Sequence, residues 1–280
     1  MVQDKKIGAI VVTHDSESFI ERCVSALMAQ TRRPDQIVIV DSGSHDRHYL
    51  EAFERHPLVT VVFRPNIGFS AANNVGIASL WEDVGYFALV NPDAFLSPEF
   101  LRDAFDILES PSGKTAGCLT GTLLGFDIES NRPTGRLDST GLFRKWYGRW
   151  YDRGQGEPAF PGRDAQPENL PAICGALMFC RKTALAAVIS ADGKVFDERF
   201  FMHKEDVDLS LRLRKAGWLL RYDPALHAYH CRGWDAERRN VSRALRLMAA
   251  RNEIRLYMKH PSVYLLWAIV KFLLVKVANV

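Results

Sequence analysis

Five short polar stretches carry residue types that could do chemistry. An apolar run at 86–90 stops at Asn91-Pro92-Asp93, which sets an amide, a rigid ring and one carboxylate side by side. All three are turn formers, so the stretch reads either as a plain turn or as a turn that offers Asp93 to a hard, oxygen-loving cation. Glu205-Asp206 stands where a helical pattern begins, and the helix dipole favours negative charge there. The pair is either a helix cap or a carboxylate placed to accept a proton. Asp208, in the same stretch, sits one helical turn before Arg212 and suits an ion pair with it. The other three stretches are Thr13-His14-Asp15, Asp41-Ser42-Gly43-Ser44 and Pro65-Asn66-Ile67-Gly68.

What positions them is an alternation of apolar runs and helical patterns. Residues 7–12 (IGAIVV), 36–41 (QIVIVD), 58–63 (LVTVVF) and 86–90 (YFALV) have strand length and no polar alternation. Helical spacing appears at 16–30, around 47–55 and at 70–80. Continuous apolar strands, each followed by a helix, predict a parallel sheet covered on both faces. Ligands of such sheets sit beyond the carboxyl ends of the strands, where four of the five polar stretches fall. Residues 125–170 read as long loops around short strands. A buried segment comes next at 173–182, then a helix at 205–218, strands near 219–222 and 227–231, and a long helix from about residue 235. Length and pattern together give an α/β chain with a main domain at 1–234. Its halves are about 1–95 and 96–234, and a C-terminal helical region covers 235–280.

Composition narrows the function. The chain has 280 residues, 47% hydrophobic and 25% charged, enough for a sizeable core. A net charge of +3 does not suit a dedicated nucleic-acid binder. Five scattered cysteines with no CxxC pair predict reduced thiols rather than a zinc ribbon or redox dithiol. The first residues read as a first strand, not a signal peptide.

Taken in order, VVTHDSE, IVIVDSGSHD, NIGFSAANNVGI, LVNPDAF, GALMFCRK and FFMHKEDVDLSLRLRKAGW, with His230 after them, resemble the family-2 glycosyltransferases. Within that family DSTG, GRWYDRGQGEP and the basic tail look most like bacterial rhamnosyltransferases. The resemblance runs from Ile7 to about Pro261. It implies the GT-A fold, a Rossmann-like α/β architecture with a mainly parallel central sheet, and inverting sugar transfer. By resemblance, Asp41 meets the pyrimidine base of a sugar nucleotide, with Thr13 and His14 lining the same pocket; the alternative is a DSGS helix cap. Asn66, Gly68 and Asn74 are assigned to the donor side, Gly68 letting backbone approach a ligand at a helix start. Small residues there equally suit close packing.

The resemblance also places Asn91-Pro92-Asp93 on the family's DxD position with one carboxylate lost. Asp93 becomes the metal ligand, Asn91 a neighbour of the ribose or the cation, and His230 a second ligand, well ahead of His227. The cation is Mn or Mg, and imidazole leans towards Mn. The catalytic base falls on Asp206, with Glu205 as the near alternative, and Gly175-Ala176 on the acceptor side. Trp146, Tyr147, Trp150 and Tyr151 would stack on a sugar or form a lid.

The longest apolar stretch of the tail, 263–270, is too short to span a bilayer, and Lys271 and Lys276 break up the apolar residues beyond it. The tail reads as a basic amphipathic segment on an anionic membrane surface, or in its first half as a helix docked on the catalytic domain. The expectation is a metal-dependent enzyme, peripheral on the cytoplasmic membrane face. It would move L-rhamnose from dTDP-rhamnose to a lipid-linked saccharide in polysaccharide synthesis. A galactofuranosyl or other hexosyl transfer from a UDP-sugar is the near alternative. A nucleotidyltransferase would need a glycine-rich phosphate loop after the first strand, which THDSE lacks. A non-catalytic sugar-nucleotide-binding subunit is the reading from another class.

Overall fold

The computed structural model describes residues 5–159, 165–231 and 242–278. The first half alternates as β1 (Ile7–Thr13), α1 (Ile20–Met28), β2 (Gln36–Ser42), α2 (Glu51–Glu54), β3 (Val59–Arg64), α3 (Gly68–Leu80) and β4 (Tyr86–Val90). A short β5 (Ala94–Leu96) and α4 (Phe100–Glu109) lead to β6 (Ala116–Asp127), β7 (Arg132–Ser139), β8 (Leu142–Arg144), β9 (Trp150–Asp152) and β10 (Glu168–Asn169). Then come β11 (Leu177–Arg181), α5 (Lys182–Ala186), α6 (Glu205–Lys215), β12 (Leu219–His230), α7 (Arg243–Lys259) and α8 (Leu265–Ala278).

Every residue of β1 and β4 is buried, which explains their continuous apolar runs. β3, β2, β1 and β4 run parallel, with Thr13 level with Asp41 and Val11 level with Val90. Beyond β4 the sheet is mixed: β11 lies antiparallel between β4 and β6, and β12 runs parallel to β6. The two strands expected near 219–222 and 227–231 are one strand, β12, with a register irregularity between Tyr222 and His227 around Pro224. α1 buries Ile20, Cys23, Val24 and Leu27, a helical stripe facing one side of the sheet. On the other side α3 packs so closely that a Cβ on Gly76 would lie 2.5 Å from Ile10. The boundary drawn at residue 235 lies outside the described residues.

A third apolar cluster lies under the C-terminal helices, where Leu256, Tyr257 and Ala268 meet Leu142, Trp150, Phe200 and Val207. α7 and α8 pack antiparallel, since Glu253 pairs with Lys271 and Arg243 donates to the Lys276 carbonyl. The polar anchor of this packing is Asp208, which is fully buried on α6. It accepts from Arg212 Nε on its own helix at 2.9 Å, and from Lys259 Nζ and His260 Nε2, each at 2.9 Å. Burial alone would raise this carboxyl's pKa. The hydrogen bond from His260 and the charges of Arg212 and Lys259 outweigh it and hold the group below the usual carboxylate range.

Asp208→Ala strands the buried donors of Arg212, Lys259 and His260 and is expected to cost about 3–5 kcal/mol in urea unfolding at neutral pH. A pKa depressed by folding stabilises above the unfolded value, about 3.9. The gap between wild type and variant should therefore close as pH falls through and below that value.

Candidate active site

The ends of β1 and β2 carry one hydrogen-bonded network. Asp41 is fully buried. Its oxygens accept from the Ser44 hydroxyl, from Ser44 N–H at 3.3 Å and from Arg47 Nε at 3.2 Å. Thr13 Oγ1 lies 2.8 Å from the Tyr49 hydroxyl, which lies 2.8 Å from Ser44 Oγ. The sequence reading found Thr13 and Asp41 but missed Tyr49 and Arg47, the groups that hold them. His14 sets Nδ1 3.0 Å from the Ser42 carbonyl and leaves its ring 44% exposed to the cleft. A ligand base reaching Asp41 would take the place of Arg47, whose own side chain is half exposed. Asn66 is exposed, and its Oδ1 accepts from Gly68 N–H at 3.3 Å.

Gly68 and Asn74 sit at this end of the sheet but make different contacts from those expected. Gly68 has φ +82, and a Cβ there would lie 2.4 Å from the Phe201 ring. What comes close to its backbone is therefore the protein's own aromatic side chain. Asn74 has both ends of its amide on the backbone of one residue, Phe196. Nδ2 donates to the Phe196 carbonyl at 2.9 Å and Oδ1 accepts from Phe196 N–H at 2.8 Å. Ser70 Oγ donates to the Phe200 carbonyl and Phe69 N–H to that of Phe201. The start of α3 is thus a seat for the 196–201 loop, and the Asn74 amide is engaged by that loop.

Asn91 comes directly after β4, and its N–H donates to the Ala176 carbonyl at 2.9 Å. Its side-chain Oδ1 is buried with no hydrogen-bond partner among the described residues. Nearby, His230 ends β12 opposite Ala94 and is only 6% exposed. Its Nδ1 lies 2.8 Å from Asp138 Oδ2 and its Nε2 3.2 Å from Asp93 Oδ1. Burial works against charge on this imidazole, but hydrogen bonds to Asp138 and Asp93 and their negative charge raise its pKa to about 9. Asp138 was not singled out from the sequence, although it opens the DSTG segment.

This donor set fits a divalent cation. Asp93 Oδ1 and His230 Nε2 face one another as two ligands of one ion would. Asp138 takes the other ring nitrogen, the outer carboxylate that orients a metal-ligating histidine. The orphaned Asn91 oxygen adds an uncharged acceptor of the kind such ions use. Among the described residues no group of three or more His, Cys, Asp or Glu side chains could hold a metal. The remaining oxygens would have to come from a ligand, as is usual where cations bind phosphates.

Asp206 and Glu205 share the first turn of α6 and are separated by environment. Glu205 is 6% exposed, and its Oε2 has no partner. Burial, then the adjoining Asp206 charge, raise its pKa well above the usual range. Asp206 is half-buried and held by backbone N–H groups: Gly175 N to Oδ2 at 3.1 Å and Val207 N to Oδ1 at 2.7 Å. Burial raises its pKa as well, opposed by the Lys204 charge and these N–H donors. The contact is close: a Cβ on Gly175 would lie 3.3 Å from Asp206 Cβ and would press Asp206 aside by a few tenths of an ångström.

The chain enters α6 through two non-glycine residues in the left-handed region, His203 at φ 72 and Lys204 at φ 77. Such backbone persists only where its surroundings fix it. Asn252 of α7 does so, donating Nδ2 to the Met202 and His203 carbonyls at 2.9 Å each. Arg255 Nη1 in turn donates to Asn252 Oδ1 at 2.6 Å. Nothing in the spacing of the tail signalled Asn252. The donor loops, Asn91-Pro92-Asp93 with His230, and Gly175-Asp206 thus gather at one sheet edge. The Asn91–Ala176 hydrogen bond joins the second group to the third.

Comparison with known proteins agrees with this geometry. The family model "Glycosyl transferase family 2" matches residues 9–188. The rhamnosyltransferase WbbL of Escherichia coli K12 is 49% identical over 228 residues, covering 79% of this chain and 81% of WbbL. The N-acetylglucosaminyl-diphospho-decaprenol L-rhamnosyltransferase of Mycobacterium tuberculosis is 29% identical over 237 residues, 80% of this chain and 75% of that protein. Among solved structures, GalNAc-T7 with UDP, GalNAc and Mn2+ superposes with a TM-score of 0.65 at 16% identity, over 90% of this chain and 47% of that one. The mannosyltransferase PcManGT of Pyrobaculum calidifontis, with GDP-Man and Mn2+, gives 0.55 at 17% identity, over 91% and 64%. This chain thus spans about half to two thirds of those two structures, and at such identity they speak for the fold. The family match covers more than half of the chain, and on that ground the chain belongs to glycosyl transferase family 2, a family of glycosyltransferases.

Proposed function

We propose that this glycosyltransferase moves L-rhamnose from dTDP-rhamnose to a lipid-linked saccharide, with inversion at the anomeric carbon. Two of its curated relatives bear rhamnosyltransferase names, and one of those names specifies a diphospho-decaprenol acceptor. The observation that carries the chemistry is the environment of Asp206: a half-buried carboxylate anchored by Gly175 N–H, beside a buried Glu205 whose pKa burial pushes up.

Asp206 takes the proton of the acceptor hydroxyl while that oxygen attacks the anomeric carbon. The bond from that carbon to the nucleotide's terminal phosphate oxygen breaks, and nucleoside diphosphate leaves with the electron pair. Attack and departure on opposite faces invert the anomer, and no covalent sugar–enzyme bond forms. Thr13, His14 and Asp41 hold the nucleotide's base, and Asn66 and Asn91 line the donor side. A divalent cation bound at Asp93 and His230 supplies positive charge to the diphosphate. Asp138 keeps the His230 ring turned towards Asp93. The small Gly175-Ala176 surface leaves room for the acceptor.

The segment 242–278 holds seven lysines and arginines against one acid, Glu253. Among the described residues no helix is long and apolar enough to cross a membrane. α8 nevertheless exposes Leu266 at 73%, Val277 at 82% and a row of half-exposed residues between them. This face rests on the anionic inner leaflet, which makes the enzyme peripheral on the cytoplasmic side and brings Asp206 to a lipid-borne acceptor.

Release of dTDP from dTDP-rhamnose in the presence of acceptor and Mn tests the reaction; no release from a folded protein would overturn it. Asp206→Asn should lower kcat by about 10²–10⁴-fold. With the base's pKa raised, wild-type kcat/KM should fall as pH drops through that raised value, and an unchanged acid limb in Asp206→Asn would refute the assignment. Asp93→Asn and His230→Ala should each weaken Mn binding, read by paramagnetic relaxation of water, by about tenfold or more. Leu266→Asp with Leu273→Asp should abolish sedimentation with phosphatidylglycerol vesicles while leaving thermal unfolding near the wild-type temperature.

A further inference from the structure

We propose a second binding site, for the diphosphate and first isoprene unit of a polyprenyl-diphosphate-linked acceptor, in the cavity between the β8–β9 hairpin and α6. The proposal rests on the reading of this chain as a glycosyltransferase of lipid-linked saccharides. The cavity measures ≈ 320 Å³ and is lined by Phe143, Arg144, Trp150, Pro171, Leu211 and Arg214. Two guanidinium groups thus border a space otherwise walled by aromatic and aliphatic carbon.

Neither arginine has a carboxylate partner among the described residues. Arg144 lies over the rings of Trp150, at 5.5 Å, and Tyr264, at 4.4 Å. Arg214 donates Nη1 to the Pro171 carbonyl at 3.3 Å. Each keeps further N–H donors for a ligand, in the planar fork that matches phosphate oxygens. A purely anionic ligand would not need the aromatic walls, and a purely apolar one would not need the arginines. A phosphate ester of an isoprenoid matches both.

The cavity also stands in the right relation to the base. Leu142 N–H donates to the Ala172 carbonyl at 2.9 Å and Ile173 N–H to Ser210 Oγ at 3.1 Å, so residues 171–173 tie the hairpin to α6. That same segment runs on to Gly175, whose N–H holds Asp206. Four residues span at most about 14 Å, roughly the reach of one hexose ring plus a diphosphate. A sugar hydroxyl at Asp206 and a diphosphate at the arginines are thus within the span of one acceptor. At the other end Tyr264, under Arg144, leads directly into α8, beside the exposed Val263 and Leu266. A prenyl chain leaving the cavity there meets an apolar surface.

The test measures binding of farnesyl diphosphate with EDTA present, so that the proposed cation site takes no part. Farnesol and phosphatidylglycerol vesicles serve as the other ligands. Arg144→Gln and Arg214→Gln should each weaken farnesyl diphosphate about tenfold and leave farnesol unchanged. With dTDP-rhamnose as donor, each should also lower kcat/KM for a prenyl-diphosphate-linked N-acetylglucosamine about tenfold relative to that for its octyl glycoside. Equal affinity of variants and wild type for farnesyl diphosphate overturns the site. So does a loss confined to vesicle binding, which would assign the arginines to bilayer phospholipid. Absence of transfer in the wild type would strike the glycosyltransferase reading alone, because the farnesyl diphosphate measurement decides the site without turnover.

Discussion

One buried carboxylate organises this molecule. Asp208 is fully buried, and Arg212 of α6, Lys259 of α7 and His260 just beyond it converge on it. An ionised carboxylate so placed is tolerated only with such partners, so the position of α7 is dictated by a charge on α6. Apolar packing of Leu256 and Tyr257 against Phe200 and Val207 adds area but little direction. Direction comes from the ion cluster, because charge-assisted hydrogen bonds fix both distance and angle.

That constraint reaches the reacting groups through the loop at 196–204. On one side α3 grips the loop through Asn74, Ser70 and the Gly68–Phe201 contact. On the other side Asn252 holds the two left-handed residues before α6. α3, α6 and the C-terminal hairpin therefore share one short piece of backbone. Among the described residues the Asp206 carboxylate is anchored by two backbone N–H groups, so a shift of that backbone is felt there.

The parallel half of the sheet was readable because β1, β2 and β4 are buried on both faces, and burial on both faces leaves a continuous apolar run. The loops at their carboxyl ends came from the same logic, and with them Thr13, Asp41, Asn91 and Asp93 as neighbours. What stayed hidden depends on side chains reaching far along the chain. The Asn74 amide joins the peptide group of a residue 122 positions away, and nothing periodic records that. Asp138 and His230 are separated by 92 positions and meet because β7 and β12 both pair with β6. The tail was legible in outline, a helix docked in its first half, but not in detail: α7 buries Asn252 and Glu253, so polar letters lie on its inner face where a hydrophobicity pattern expects solvent.

The placement of Asn252 bears on how the protein comes into being. A ribosome delivers the sheet, the donor loops and α6 well before it delivers α7, and domains fold largely in the order they emerge. Until α7 arrives, the backbone at His203 and Lys204 lacks the amide that holds it in the left-handed region. A nascent chain of this kind can assemble the parallel sheet and its loops early, while the turn into α6 settles only once α7 has been made.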